Sequence, residues 1–419
     1  MRFPRGRRRL AIVVAALLAT AAVAVIVHRV LAPAEVSTVA RADYPAPARP
    51  APGVIGRLPV APLIVDGRLR VYAAHRQVYA DRPVDGRYRT SPFWSYRRWP
   101  AELTGVVASG RTVVSRWSDG RVVALDASTG RVLWRADGPV PAKADVVVRR
   151  TGAATVWDPR GLYRAALPDG RMLLVVTGDR EARGFGLAEG RELWRVELPG
   201  ACRSDVGTTL TGQLIGLDTC AGPAAVEFRD AATGTLRSRW RPVEAPDALV
   251  VTPLGCRTGR SDCSGLRTAG PGDAGGRGWL VGVGEPAPAT ALDPADATLV
   301  DEQAVTVLDG TVVGRSARTG TERWRVGGLG PAARVLAVQP GRLHLLTEEN
   351  DLVTLNPVSG AQLSRFRLNV GSDGTGWAPG AVAAEDGYVA VERLRRPVDP
   401  DADDQRYFLS SEPVILAVS

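Results

Sequence analysis

Ala124–Trp134 reads ALDASTGRVLW, and the phrase returns along the chain. Gly186–Trp194 is GLAEGRELW and Ala317–Trp324 is ARTGTERW, each with Trp four residues after Gly (Gly130/Trp134, Gly190/Trp194, Gly320/Trp324). Asp230–Trp240 (DAATGTLRSRW) and Asn356–Phe366 (NPVSGAQLSRF) keep the turn, with Trp240 and Phe366 six residues after Gly234 and Gly360. Four and six share parity, so in a strand the aromatic stays on one face. The marker glycines are 60, 44, 86 and 40 residues apart. Two gaps are near the roughly 40–45 residues of a four-stranded propeller blade. The gap of 86 is close to two such periods and predicts one degenerate blade between Gly234 and Gly320. The gap of 60 is one blade plus an insertion, placed at Arg149–Ala166.

Leu103–Asp137 shows how one blade is written. GVVA (Gly105–Ala108) and TVVSRW (Thr112–Trp117) read as strands, and Asp119-Gly120 is a hairpin turn before RVVALD (Arg121–Asp126). ASTG (Ala127–Gly130) turns the chain into the outer strand RVLWR, whose Trp134 can bury a large area between blades. Ser91–Trp99 (SPFWSYRRW, with Trp94) reads as an outer strand lacking inner strands of standard pattern. The last segment ends in VILAV (Val414–Val418) without a Trp strand. Pairing 91–99 with the last blade closes the ring and removes an exposed edge. The expectation is an all-β, seven-bladed propeller of four-stranded blades. The count becomes eight if Leu69–Asp81 supplies a further partial blade.

The DASTGRVLW phrase after DGRVVAL resembles the PQQ-like propeller repeat over residues 91–419, most strongly at 103–137 and weakly at 250–290. That repeat occurs in quinoprotein dehydrogenases, in an outer-membrane-assembly lipoprotein and in uncharacterised membrane-anchored proteins. The resemblance implies a propeller and leaves function open, because a fold hosts many functions. The dehydrogenases carry a vicinal disulfide beside the quinone, and no two Cys are adjacent here. Their calcium-binding carboxylates and Asp base do not map residue by residue onto this chain. The lipoprotein's lipidated Cys has no counterpart, since all four Cys lie beyond residue 200. The likeness is therefore to the uncharacterised membrane-anchored type.

Residues 1–9 (MRFPRGRRR) form a basic tail, expected in the cytoplasm. Leu10–Val27 is an uncharged run of eighteen residues, extended to Ala32, and predicts a transmembrane signal-anchor helix over 10–32. The competing reading is a cleaved signal peptide with its site near Ala34 and a secreted product. Residues 33–60 read as a Pro/Ala-rich linker, and 61–419 as the extracytoplasmic propeller of a single-pass membrane protein. The net charge is +9, and the six arginines of residues 1–34 leave +3 for the rest. No basic cluster interleaved with aromatics supports nucleic-acid binding.

Cys202, Cys220, Cys256 and Cys263 are an even set outside the membrane on this reading, which points to two disulfides. The sequence-local pairs 202–220 and 256–263 are favoured among the three connectivities. Spacings of 17 and 6 intervening residues do not fit zinc knuckles. The Gly-rich stretch 255–278 is either a decayed blade stapled by a disulfide or a functional loop. No nucleophile elbow, phosphate loop, H-E-x-x-H or dinucleotide fingerprint appears. His75 and His344 sit in strand-like runs and read as structural. Glu348–Asp351 reads as a hairpin turn, Asp399–Asp404 as a solvated loop, and the Arg pairs 97–98 and 395–396 as solvated surface.

These readings converge on a non-catalytic binding or assembly module, without catalytic residues, metal or cofactor. Its partners are the membrane, through 10–32, and an envelope protein or polymer. The alternative is an oxidoreductase holding PQQ and calcium in the funnel. The residues expected to matter are the blade-packing set: Trp94, Gly130, Trp134, Gly190, Trp194, Gly234, Trp240, Gly320, Trp324, Gly360 and Phe366.

Overall fold

Short β-branched runs broken by two-residue turns leave little choice but antiparallel strands, and a computed structural model arranges them as eight sheets. It describes residues 13–21, 23, 34–48, 50–142, 151–198, 200–220, 222–243, 245–273, 275–369, 376–395 and 408–419. The second blade follows the reading of its sequence: Leu103–Ser109, Thr112–Trp117, Arg121–Asp126 and Val132–Asp137 pair in order. Its middle strands are buried on both faces because each sheet is packed between two others. On the outer strand the only fully sheltered side chain is Trp134.

Blades three to seven span 162–197, 203–240, 250–288, 298–326 and 334–367. The fifth is the degenerate blade behind the doubled gap. Its outer strand shrinks to Ala287–Pro288, and proline cannot extend a ladder.

The ends of the ring differ from expectation in three ways. First, the blades number eight, the alternative count, and not the favoured seven. Leu69–Ala74 and Gln77–Asp81 are the middle strands of a complete first blade that begins at Leu63–Val65 and reaches Trp94–Arg98. The repeat phrase is missing there because an ion cluster replaces the turn. Arg70, fully buried, pairs with Asp81 at 2.9 Å and Asp85 at 3.1 Å.

Second, 91–99 does not close the ring. Trp94–Arg98 pairs with Gln77–Asp81 in its own blade and with Glu35–Thr38 outside it. The last blade, Ala378–Glu385, Tyr388–Leu394 and Val414–Val418, takes Gly53–Leu58 as its outer strand. The region read as a linker, 33–60, therefore supplies two strands, with a proline-rich stretch between them.

Third, residues 13–21 and 23 are helical, and among the described residues no helix is long and apolar enough to cross a membrane. The expected spanning helix at 10–32, and the single-pass address built on it, are corrected accordingly. Residues 1–12 and 24–33, next to the cleavage site expected at Ala34, lie outside the described residues.

Candidate functional site

The repeat phrase is a junction between blades. Trp94, Trp134, Trp194 and Trp324 each lie under the turn of the following blade, donating Nε1–H to the carbonyls of Ala127, Leu187, Ala231 and Pro357 at 2.7–3.0 Å. Each acceptor stands three residues before a marker glycine. A Cβ on Gly130, Gly190, Gly234 or Gly360 would sit 2.3–2.8 Å from the indole below it. All four have φ of 68–73°, so both backbone and space demand glycine.

Three other junctions differ. Trp240 meets Trp279 edge-on, with ring centroids 4.8 Å apart, in place of a Trp–Gly contact. Phe366 is half-buried against the core shared with the last blade. At the junction of blades five and six the preceding blade has no outer Trp. A Cβ on Gly320 would meet nothing within 4 Å. There Leu292, fully buried, lies over Gly278 of its own blade much as Trp324 lies over Gly314.

The cysteines form the pairs Cys202–Cys220 and Cys256–Cys263. The second closes a loop that leaves blade five and crosses the axis of the ring. Arg260 O accepts Thr208 N–H (2.9 Å) and Thr208 O accepts Cys263 N–H (2.8 Å), fixing the loop to blade four. Ser261 Oγ accepts Arg164 N–H (3.0 Å) and Asp262 Oδ1 accepts Ala166 N–H (3.2 Å), fixing it to blade three. Thr258 Oγ1 accepts from Arg164 Nη2 (2.6 Å) and donates to Glu385 Oε1 of blade eight (3.3 Å). Arg260 pairs with Asp158 at 3.0 Å.

Asp158 belongs to the insertion between blades two and three, part of which also turns inward. Thr151 O accepts Ala61 N–H (2.8 Å), the Thr151 hydroxyl bonds the Glu392 carboxylate, and Trp157 Nε1 donates to Pro62 O (2.8 Å). Together the two segments plug the channel. Their partners come from blades far apart in sequence, which is why only the Cys spacing hinted at the loop.

On one side of the plug lies a cavity of about 400 Å³, bounded by Ile64, Trp157, Thr258, Ala337, Val382 and Glu385. Burial raises the Glu385 carboxyl to about 7; Asp386 adds to this, and Arg164 and Thr258 oppose it. Its side chain keeps 26% exposure, because it is walled in by protein yet faces the cavity. Burial also raises Asp386 and Asp262. A second cavity, of about 560 Å³, opens beside the loop between blades four and seven.

The remaining candidates are structural. His344 is buried, its pKa lowered to about 3 by burial and Arg342, with Nδ1 3.1 Å from Thr354 Oγ1 and Nε2 2.8 Å from Gln339 Nε2. His75 is exposed and 3.0 Å from Glu102. Glu348–Asp351 forms the turn into Asp351–Leu355, with Asn350 at φ 60°. Arg98 pairs with Asp119 (2.8 Å) and Glu35 (3.3 Å). Arg395 donates to Leu409 O. Arg396 and 399–404 lie outside the described residues. Among the described residues no group of three or more His, Cys, Asp or Glu could hold a metal ion.

This geometry defines an eight-bladed propeller with a plugged axis. A family profile described as outer membrane protein assembly factor BamB matches residues 49–160 and, overlapping, 88–239. A protein of that name from Nitrosomonas eutropha is 30% identical over 136 residues, covering 25% of this chain and 33% of the relative. The match thus spans about a third of the length of that curated relative. The crystal structure of BamB from Moraxella catarrhalis is similar at a TM-score of 0.44 and 15% identity, over 85% of this chain and 95% of that one. Quinohemoprotein alcohol dehydrogenase from Comamonas testosteroni is similar at 0.40 and 12%, over 87% and 74%. The chain is an eight-bladed β-propeller similar to BamB over its first half.

Proposed function

We propose that this chain is a non-catalytic protein-binding or assembly module. The observation that carries this reading is the plug. The funnel in which a propeller enzyme would hold its cofactor is crossed here by the Cys256–Cys263 loop, tied to four separate parts of the ring. The two carboxylates that line the axial cavity are committed, Asp158 to Arg260 and Glu385 to Thr258 near Arg164. Trp157 is fixed by its bond to Pro62 O. These residues do not fit a quinone stacked over calcium. The relationship to a protein named as an assembly factor supports the same reading. What a rigid, plugged ring offers is its faces and rim.

Cross-linking of the full chain in its native cells, followed by identification of the linked peptides, tests this. A reproducible heterologous protein partner linked to ring-face residues is the expected result. Linkage to copies of itself alone refutes the proposal. A saturable rise in melting temperature with PQQ and calcium, absent with chelator, would favour the oxidoreductase instead.

A further inference from the structure

We infer that the cavity beside the fifth and sixth blades is a docking pocket for an acidic peptide segment carrying an aromatic side chain. This inference rests on the protein-binding reading above. The ring repeats one packing device, an indole under the next blade's turn glycine, and omits it at this junction. Gly320 has the marker conformation, φ 72°, yet open space where the other four marker glycines meet an indole. The blade before it ends in Ala287–Pro288, and Leu292 covers Gly278 with a smaller side chain.

The cavity of about 560 Å³ lies beside this junction, bounded by the neighbouring Arg318, Thr319 and Arg323 rather than by Gly320 itself, and is within the range of built ligand sites. Leu280, Val281 and Leu299 supply an apolar wall, and Arg257, Arg318 and Arg323 supply charge. All three arginines are exposed, and among the described residues none makes a side-chain hydrogen bond or ion pair. They contrast with Arg183, Arg203, Arg229 and Arg325 of the same ring, each paired with a carboxylate within 3.1 Å. Asp301 and Glu302 also line the cavity, but the Asp301 carboxylate accepts Gly341 N–H at 2.6 Å. The balance is one positive charge over a site with an apolar wall. An aromatic ring suits that wall, and flanking carboxylates suit the forked donors of the arginines. A neutral or basic segment leaves the cations unanswered.

The test is fluorescence anisotropy of the full chain with a labelled peptide, acetyl-Asp-Asp-Trp-Asp-Asp-amide. Two control peptides replace Trp by Ala, or every Asp by Lys. Saturable binding is expected for the first peptide, at least tenfold weaker for the Ala peptide and undetectable for the Lys peptide. R318E and R323E should each weaken it at least tenfold, while R191E, an exposed arginine of blade three, leaves it unchanged. Circular dichroism and melting temperature show that each variant folds. Equal affinity for the Trp and Ala peptides, equal affinity of wild type and R318E, or no saturation by 1 mM overturns the inference. If a protein partner cross-links equally well to the R318E/R323E double variant, this pocket is refuted while the binding-module reading stands. If no heterologous partner is found for wild type, that reading fails on its own evidence.

Discussion

Alanine at Gly190 and at Gly320 makes a matched pair, because the two glycines share a backbone conformation and differ in what lies beneath them. Their φ values are 68° and 72°, so each Gly→Ala variant carries the left-handed penalty of about 1 kcal/mol. At Gly190 the new methyl would stand 2.3 Å from Trp134 Cδ2 and 2.5 Å from Cε3, where real contacts are essentially never under 3.0 Å. The indole cannot retreat freely, since its Nε1 is held by Leu187 O at 3.0 Å. Overpacking of this kind adds about 1–3 kcal/mol. Gly320→Ala should therefore destabilise by about 1 kcal/mol and Gly190→Ala by about 2–4 kcal/mol. Urea unfolding followed by circular dichroism measures both as midpoint shifts at unchanged slope. Gly130→Ala and Gly360→Ala, with closest approaches of 2.4 and 2.8 Å, should fall between or near the larger value, in that order. If Gly320→Ala is as damaging as Gly190→Ala, the junction is not what demands glycine.

Three further outcomes are expected. Glu385 has a carboxyl pKa raised to about 7, so its stabilising contribution is complete below the unfolded value near 4.5 and is lost as pH rises through 7. The effect is at most about 3 kcal/mol; the urea midpoint should fall between pH 5 and 8, and less so in Glu385→Gln, whereas identical pH slopes would count against it. Cys256→Ser opens the axial loop and should destabilise by about 2 kcal/mol, with faster amide exchange at Thr208 and Cys263; unchanged exchange at both would show that the loop is held without its disulfide. Removing residues 1–40 takes from the described sheets only the rim strand Glu35–Thr38 and should leave a folded ring, whereas removing 1–58 also deletes Gly53–Leu58 and should give aggregates by size-exclusion chromatography.

Where the sequence spoke clearly, one local device did the speaking. Gly130/Trp134 and its kin are legible because turn, spacing and aromatic lie within eleven residues and the same contact recurs at four junctions. The first blade was obscure because Arg70 and Asp81 replace that device with a buried ion pair. Gly53–Leu58 was hidden by the prolines before it, and its partner Val414–Val418 is some 360 residues away. The spanning helix was overread from hydropathy alone. The plug was illegible for another reason: Arg164, Thr208, Thr258 and Glu385 are ordinary residues until the ring brings four blades to its axis. The arginine pocket is legible only in hindsight, as the one marker glycine whose preceding blade lacks its Trp.

The pairing of Gly53–Leu58 with Val414–Val418 also sets a clock on folding. At about 5–20 residues per second, synthesis needs roughly 20–70 s to deliver the last strand after the first has emerged. Throughout that interval the growing array has an unsealed edge at each end, and GVIGRL must stay unpaired or be sheltered. Until Val414–Val418 is made the ring stays open, and a chain that stalls before that strand leaves both edges exposed to aggregation.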